Sequence, residues 1–203
     1  DFFLFENVKG LWSTAKHRLF YDRMKSRLEQ NGYLITDSLI NALEYGVPQS
    51  RERAIAIGFR SDLVPAKSSH ELSSQFSWDR NKLFSIDKIM SYPWSKTDPF
   101  TENLPLDCPV GIPVNLTVEY WFKKNNVNHH PNSHHSFTPR AGLIRFLSVL
   151  EGDDSKKSYK RLHRWRYSPT ACYGNNEVHL HPYQARRISV ADALAIQSLP
   201  PEF

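Results

Sequence analysis

Phe2 to Phe5 form a short run of apolar residues, with Glu6 and Asn7 at its C-terminal end. A run without polar alternation predicts a central strand covered on both faces. Ser13 or Thr14 follows where a helix cap is needed. Phe20, Met24 and Leu28 then recur every four residues, which predicts a helix to about Asn31 with those three on its apolar face. Gly32 stands where such a helix ends. Tyr33 to Leu43 reads as a strand, Gly46-Val47-Pro48 as a turn, and Ala54 to Phe59 as a partner strand. Beyond about residue 61 the periodicity weakens, and Pro, Ser, Asn and His become frequent. A short helix is expected from Ser85 to Tyr92, capped by Ser85 and stopped by Pro93. Another is expected from Thr138 to Leu150, with Leu143, Phe146, Leu147 and Leu150 on one face, and residues 153–157 read as a polar loop. Ser189 caps a last predicted helix, Val190 to Leu199, which Pro200-Pro201 ends. No internal repeat is present.

Composition narrows the class. The 203 residues are 40% hydrophobic and 23% charged, as in a folded globular protein rather than a disordered one. The formal charge of +5 suits a polyanionic partner, though many proteins without one share it. Cys108 and Cys172 make neither a disulfide framework nor a metal-ligand spacing, so a reducing, intracellular setting is expected. No stretch approaches the ~20 apolar residues of a membrane helix, and no secretory signal is seen. The first residues lack Met and read as the inside of a buried strand, so the chain is expected to be a cut from a longer protein.

Four segments carry candidate chemistry. Glu6-Asn7-Val8 ends the first strand, where ligands of open α/β sheets bind, so Glu6 is placed either for acid–base work or merely to cap the next segment. In Gly46-Val47-Pro48-Gln49-Ser50-Arg51-Glu52-Arg53, Arg51 and Arg53 are two apart and on an extended segment point to one face. Two guanidinium groups facing one way suit phosphate or a carbonyl-bearing base, and the alternative is a solvated basic edge. From Lys156 to Arg166 six residues are Lys or Arg, interleaved with Tyr159 and Trp165. That pattern fits phosphate neutralisation with aromatic packing, and equally an exposed charged face. His181-Pro182 and the helix after Arg186, with Asp192 near its positive end, demand no catalysis by themselves. His129, His130, His134 and His135 do not match a structural zinc pattern, and no metal is expected.

The order of these pieces is more specific than any one of them. Phe-Leu-Phe-Glu-Asn-Val-Lys-Gly at 3–10 resembles the Glu-Asn-Val motif of DNA cytosine-5 methyltransferases. Residues 42–53 resemble that family's Gln-x-Arg-x-Arg motif with its lead-in. Arg161-Leu162, Ser168-Pro169-Thr170, His181-Pro182 and Arg186 to Pro200 resemble the segment closing its recognition domain, with Ile188, Ser189 and Asp192 in place of Leu, Thr and Glu. Residues 65–155 match only loosely. The family's glycine-rich donor loop and Pro-Cys nucleophile precede the Glu-Asn-Val motif, and its Asn-rich closing motif follows the last helix. Cys108 precedes a proline instead of following one, and is not read as the nucleophile.

The resemblance implies an α/β fold: the C-terminal part of a Rossmann-like methyltransferase sheet plus a smaller, loop-rich target-recognition domain. Residues 1–64 would belong to the catalytic domain and 65–180 to target recognition, with 181–203 returning as a helix near the catalytic domain. It implies transfer of a methyl group from S-adenosylmethionine to cytosine C5 in a specific sequence of double-stranded DNA. The cofactor loop and nucleophile would come from a missing N-terminal half, so this chain alone would bind the cofactor poorly and be inactive. Glu6, Arg51 and Arg53 would be catalytic, and Asn7 would face the methyl donor. Gln49, Lys156, Lys157, Lys160, Arg161, Arg164, Arg166 and Arg186 would contact DNA. The setting implied is bacterial cytoplasm. Two other readings stand beside it: the recognition subunit of a split methyltransferase, and a DNA-binding module without catalysis.

Overall fold

A computed structural model describes residues 1–138, 142–170 and 178–203. The chain divides into two compact units, one of residues 1–41 and 52–83, the other of residues 42–51 and 84–203.

In the first unit, β1 (Phe2–Val8) leads through a short helix α1 (Lys9–Ser13) into α2 (Ala15–Gln30) and then β2 (Tyr33–Asn41). Residues 42–51 leave for the second unit and carry the two-residue strand β3 (Gln49–Ser50). The chain returns as β4 (Glu52–Arg60) and ends the unit with α3 (Ser69–Gln75). The sheet order is β1-β4-β2, antiparallel throughout, with Phe3 opposite Gly58 and Glu6 opposite Ile55. Phe3 fills the space a side chain at position 58 would need, so glycine is required there for steric reasons.

The central strand is therefore β4, not β1. Along β1 exposure alternates: Phe3 and Phe5 pack with Tyr21, Ile35 and Ala56, while Phe2, Leu4, Glu6 and Val8 point to the other, more open face. The apolar run hides a two-faced strand because both of its faces carry apolar residues. α2 ends as expected before Gly32, which has a φ of +83°. Its packed face is not the expected one. Tyr21, Met24 and Leu28 turn inward and Phe20 is exposed. The Tyr21 phenol reaches Asp37 at 2.9 Å, so an aromatic with a polar tip takes the position.

The second unit is held by short elements. α4 (Ile86–Ser91) starts at Ser85, whose hydroxyl accepts the Lys88 N–H, and ends before Pro93 as predicted. α5 (Val118–Lys124), capped by Thr117, buries Val118 and Phe122. Of the helix predicted over 138–150, residues 139–141 lie outside the described residues, and from 142 to 150 one turn is helical, α6 (Arg145–Ser148). Only Phe146 of its expected core face is buried, while Leu143, Leu147 and Leu150 are exposed. β5 (Lys160–Arg161) pairs in parallel with β7 (His179–Leu180), and β3 pairs in parallel with β6 (Ser168–Pro169). α7 (Val190–Ile196) is a turn shorter than expected. Ala191, Ala195 and Ile196 pack with Val118, Phe122 and Leu162, so the last helix is built into the second unit. Ser189 Oγ accepts the Asp192 N–H and the Asp192 carboxylate accepts the Ser189 N–H, a reciprocal cap.

Candidate functional site

Glu6 lies near the C-terminal end of β1, on the face shared with Leu4, Val8 and Ile55. Arg53 starts the register of β4 opposite Val8, so the pairing itself sets its side chain beside that of Glu6. Arg53 Nε donates to Glu6 Oε1 at 2.7 Å, and Arg53 Nη1 donates to the Glu52 carbonyl at 2.8 Å. Arg53 is 16% exposed and Glu6 46%, so the arginine is fixed while the carboxylate still faces outward. Lys9 closes the arrangement with a 2.7 Å ion pair to Glu52. Sequence reading missed Lys9, although it stands in the same short motif. Asn7 faces the helix side of the sheet, and its Oδ1 accepts the Val8 N–H at 2.8 Å.

Gln49 and Arg51 belong to the second unit. Gln49 is buried in β3, where the Pro48 carbonyl accepts the Ser168 N–H and the Ser50 carbonyl accepts the Thr170 hydroxyl at 2.7 Å. Neither polar atom of the Gln49 amide has a hydrogen-bond partner. The side chain expected to contact DNA is thus enclosed in this conformation. Arg51 is half-buried, and its carbonyl accepts the Ala42 N–H.

The basic segment separates into two kinds of residue. Arg161 is fully buried and donates to the carbonyls of Phe146, Val149, His181 and Gln184, with its guanidinium 3.7 Å from the Phe100 ring centre. Burial pushes that guanidinium down to about 10, which still leaves it charged at neutral pH. Arg164 is buried against Glu151 through a two-pronged pair, with further bonds from Arg164 to the Glu151 and Leu104 oxygens. Arg166 donates to the Gly152 carbonyl and to Asp154, and Arg186 pairs with Asp192 at 2.5 Å. These four were expected to contact DNA. Their hydrogen-bonding groups are engaged within the unit: Arg161 and Arg164 are buried, while Arg166 and Arg186 stay partly exposed. Lys156 and Lys157 are exposed and Lys160 is half-buried. Sequence order shows that charge is dense here, but not which charges have internal acceptors.

Two histidines sit inside the same unit. His163 Nε2 donates to Asp98 Oδ2 at 2.8 Å while its Nδ1 accepts the Trp165 N–H, and burial holds its pKa below the usual value. His181 is fully buried, stacked on Phe122, and burial with nearby arginines holds it well below the usual value. Cys108 is exposed, and partial desolvation pushes its thiol up rather than down. Cys172 lies outside the described residues. Among the described residues no cluster of three or more His, Cys, Asp or Glu could hold a metal ion, and no helix is long and apolar enough to cross a membrane. A cleft of about 530 Å³ runs along α7 past His135, Phe137, Arg187, Leu194 and Gln197, and none of the residues expected to be catalytic or to contact DNA lines it.

A three-stranded sheet ending in a carboxylate–guanidinium pair, in a chain with a loop-rich second unit, makes this a mixed α/β protein. The fold is shared with a crystal structure of a prophage-encoded E. coli protein described as a DNA modification methyltransferase, at a TM-score of 0.54 and 20% identity, covering 98% of this chain and 59% of that one. The model of the C-5 cytosine-specific DNA methylases matches residues 1–203, and the chain belongs to that family. It is 55% identical to the type II methyltransferase M.NmeDI of Neisseria meningitidis serogroup C, over all of this chain and 46% of that protein. It is 21% identical to M.DdeI of Desulfomicrobium norvegicum over 98% of the chain and 52% of the relative. The chain thus spans about half the length of these relatives.

Proposed function

We propose that this chain is the part of a DNA cytosine-5 methyltransferase that supplies the carboxyl group for the target cytosine and a surface for duplex DNA. The observation that carries the reading is Glu6, outward-facing at the end of β1 and held through one oxygen by Arg53. Cytosine C6 is a weak electrophile, and a thiolate adds to it more readily if N3 receives a proton as the bond forms. Glu6 is the group for that proton. Arg53 fixes Oε1, which leaves the other oxygen for the base, and the family motif assigns the same guanidinium to the base O2 or the neighbouring phosphate. The base must leave the stack to reach such a residue. Arg51 is assigned to the base or its phosphate by the family motif alone.

S-adenosylmethionine, when bound, supplies a methyl group activated on a sulfonium. The residues present make a poor cradle for it. Asn7, the one residue assigned to it, already uses its oxygen on Val8, so no step is routed through this chain to the donor. Cys108, with its raised pKa, is equally unsuited to be the thiolate. We assign the nucleophile and donor loop to polypeptide beyond these residues. The exposed Phe2, Leu4 and Val8 around Glu6 offer that polypeptide an apolar surface to cover. The first unit is then part of the catalytic domain and the second is the target-recognition domain, with Lys156, Lys157 and Lys160 turned toward phosphate.

The test is Glu6→Gln in the complete enzyme, which keeps size and hydrogen-bonding reach but removes the acid. Single-turnover methyl transfer should slow by about 10²-fold or more, with DNA affinity little changed because phosphate contacts dominate it. A wild-type single-turnover rate would remove Glu6 from the chemistry.

A further inference from the structure

The one-turn helix α6 presents an arrangement that core packing does not account for. Leu143, Ile144 and Leu147 are 64%, 76% and 63% exposed, three large apolar side chains within five residues. The turn that carries them is firmly held. Phe146 is buried beneath it beside Tyr159, and Arg161 donates to the Phe146 and Val149 carbonyls at 2.6 and 2.9 Å. Gly142, with a φ of +70°, brings the chain so close to Tyr159 that a side chain at 142 would overlap its ring. Tyr159 itself has a φ of +61°, an uncommon conformation for a large residue, so the two segments are locked together at some cost. A buried arginine and a strained tyrosine thus fix a surface that covers nothing among the described residues.

The rim of this surface is basic. Arg145 lies in the same turn with its guanidinium 5.2 Å from the Tyr159 ring centre, and Lys156, Lys157 and Lys160 flank Tyr159 in sequence. The acids of the neighbouring segment are turned to other tasks: Glu151 pairs with Arg164, Asp154 with Arg166, and Asp153 bonds Ser155. An apolar patch with an arginine in its own turn, held against a tyrosine that three lysines flank in the chain, fits a ligand that has a negative perimeter and flat, partly apolar edges inside. The major groove of duplex DNA is such a ligand. A second copy of this chain docked on the same face by twofold symmetry would bring Arg145 and the lysines against themselves.

We infer that Leu143, Ile144 and Leu147 are sequence-reading residues, held by α6 for apolar contact with base edges in the major groove. The inference rests on the reading of the second unit as the target-recognition domain. Side chains of this kind discriminate by excluding water and shape-mismatched bases, while Arg145 and the lysines contribute sequence-independent attraction.

The test uses the polypeptide as the cell makes it, expressed with a plasmid whose methylated cytosines are mapped base by base. In the Leu143→Ala/Ile144→Ala/Leu147→Ala variant, methylation at sites differing from the preferred sequence by one base pair should rise about tenfold relative to the preferred site, within the range a single mismatch commands. The melting temperature should hold, because these side chains are exposed. Unchanged site preference at a wild-type rate overturns the inference. So does a wild-type dimer that the variant converts to monomer with its preference intact, since the face would then belong to a second copy. If the triple variant does not fold, Ile144→Ser alone carries the same expectation of relaxed preference. A wild-type polypeptide that methylates no cytosine overturns the functional reading itself, a result distinct from retained methylation with unchanged preference.

Discussion

Arg161 illustrates how far a residue's role depends on its surroundings. Counted by type, it belongs to a basic segment, yet it is among the most deeply buried residues of the second unit and serves four carbonyl groups from two segments, 146–149 and 181–184. Arg161→Met keeps length and removes every donor, so those carbonyls lose their partners inside the unit. The loss should be about 3 kcal/mol or more by denaturant unfolding. Arg161→Lys should rescue little, because an ammonium lacks the planar fork that meets carbonyls on several sides. At this scale the sequence picked out Glu6 and Arg53 one by one, from two separate motifs, but not the ion pair that joins them across the adjacent strands β1 and β4. It was not legible where the acceptor was a main-chain oxygen distant in sequence, because backbone acceptors leave no residue-type signal.

The elements differ in the same way. The cap of α7 could be read directly, since Ser189 and Asp192 stand three apart and bond each other's backbone. Ser189→Ala should cost about 1 kcal/mol in thermal or denaturant unfolding. Asp192→Ala should cost more, because Arg186 loses its carboxylate as well. The packed face of α2 was misread by one position, since Tyr21 carries a polar tip and was not counted among the apolar residues, though its ring lies in the core. The region of α6 was misread for a different reason. Apolar periodicity signals a face that avoids water, and it cannot distinguish a core from a surface awaiting another molecule. For the loop and strand that carry Lys156, Lys157 and Lys160, each phosphate contact adds about 0.9 to the slope of log affinity against log salt. Their joint replacement by alanine should flatten that slope in a DNA-binding titration and weaken all sequences alike. An unchanged slope would take the segment out of the DNA surface.

For the molecule as a whole, pH should act through the second unit. His163 and His181 are both held below the usual histidine value in the folded chain. Above about pH 6.5 neither state binds the extra proton, and stability is full. As pH falls below that, the unfolded chain takes up protons that the folded chain refuses, so stability is lost until the folded values are reached. The slope between those limits is about 1.4 kcal/mol per pH unit for each histidine at 25 °C. Thermal melts between pH 7.5 and 5.5 should show a falling midpoint, and a midpoint that rises over that range would contradict the burial of both rings. The order of segments along the chain conveyed the family and the α/β class. It did not convey that residues 42–51 join the second unit, because strands of two residues carry no periodicity to detect.

That excursion also has a meaning in time. Ser50 is bonded to Thr170, 120 residues further along the chain, whereas β4 meets β2 across a short connection. Closing a loop that long is entropically costly, and it cannot happen during synthesis until the distant partner has been made. The sheet bearing Glu6 can therefore form early, while the neighbouring Gln49–Arg51 segment waits for residues 168–170. In pulsed hydrogen exchange during refolding, amides of β2 and β4 should gain protection before those of residues 168–170. The two halves of one short motif would then mature at different moments, and the arginine at 53 would be in place before its neighbour at 51.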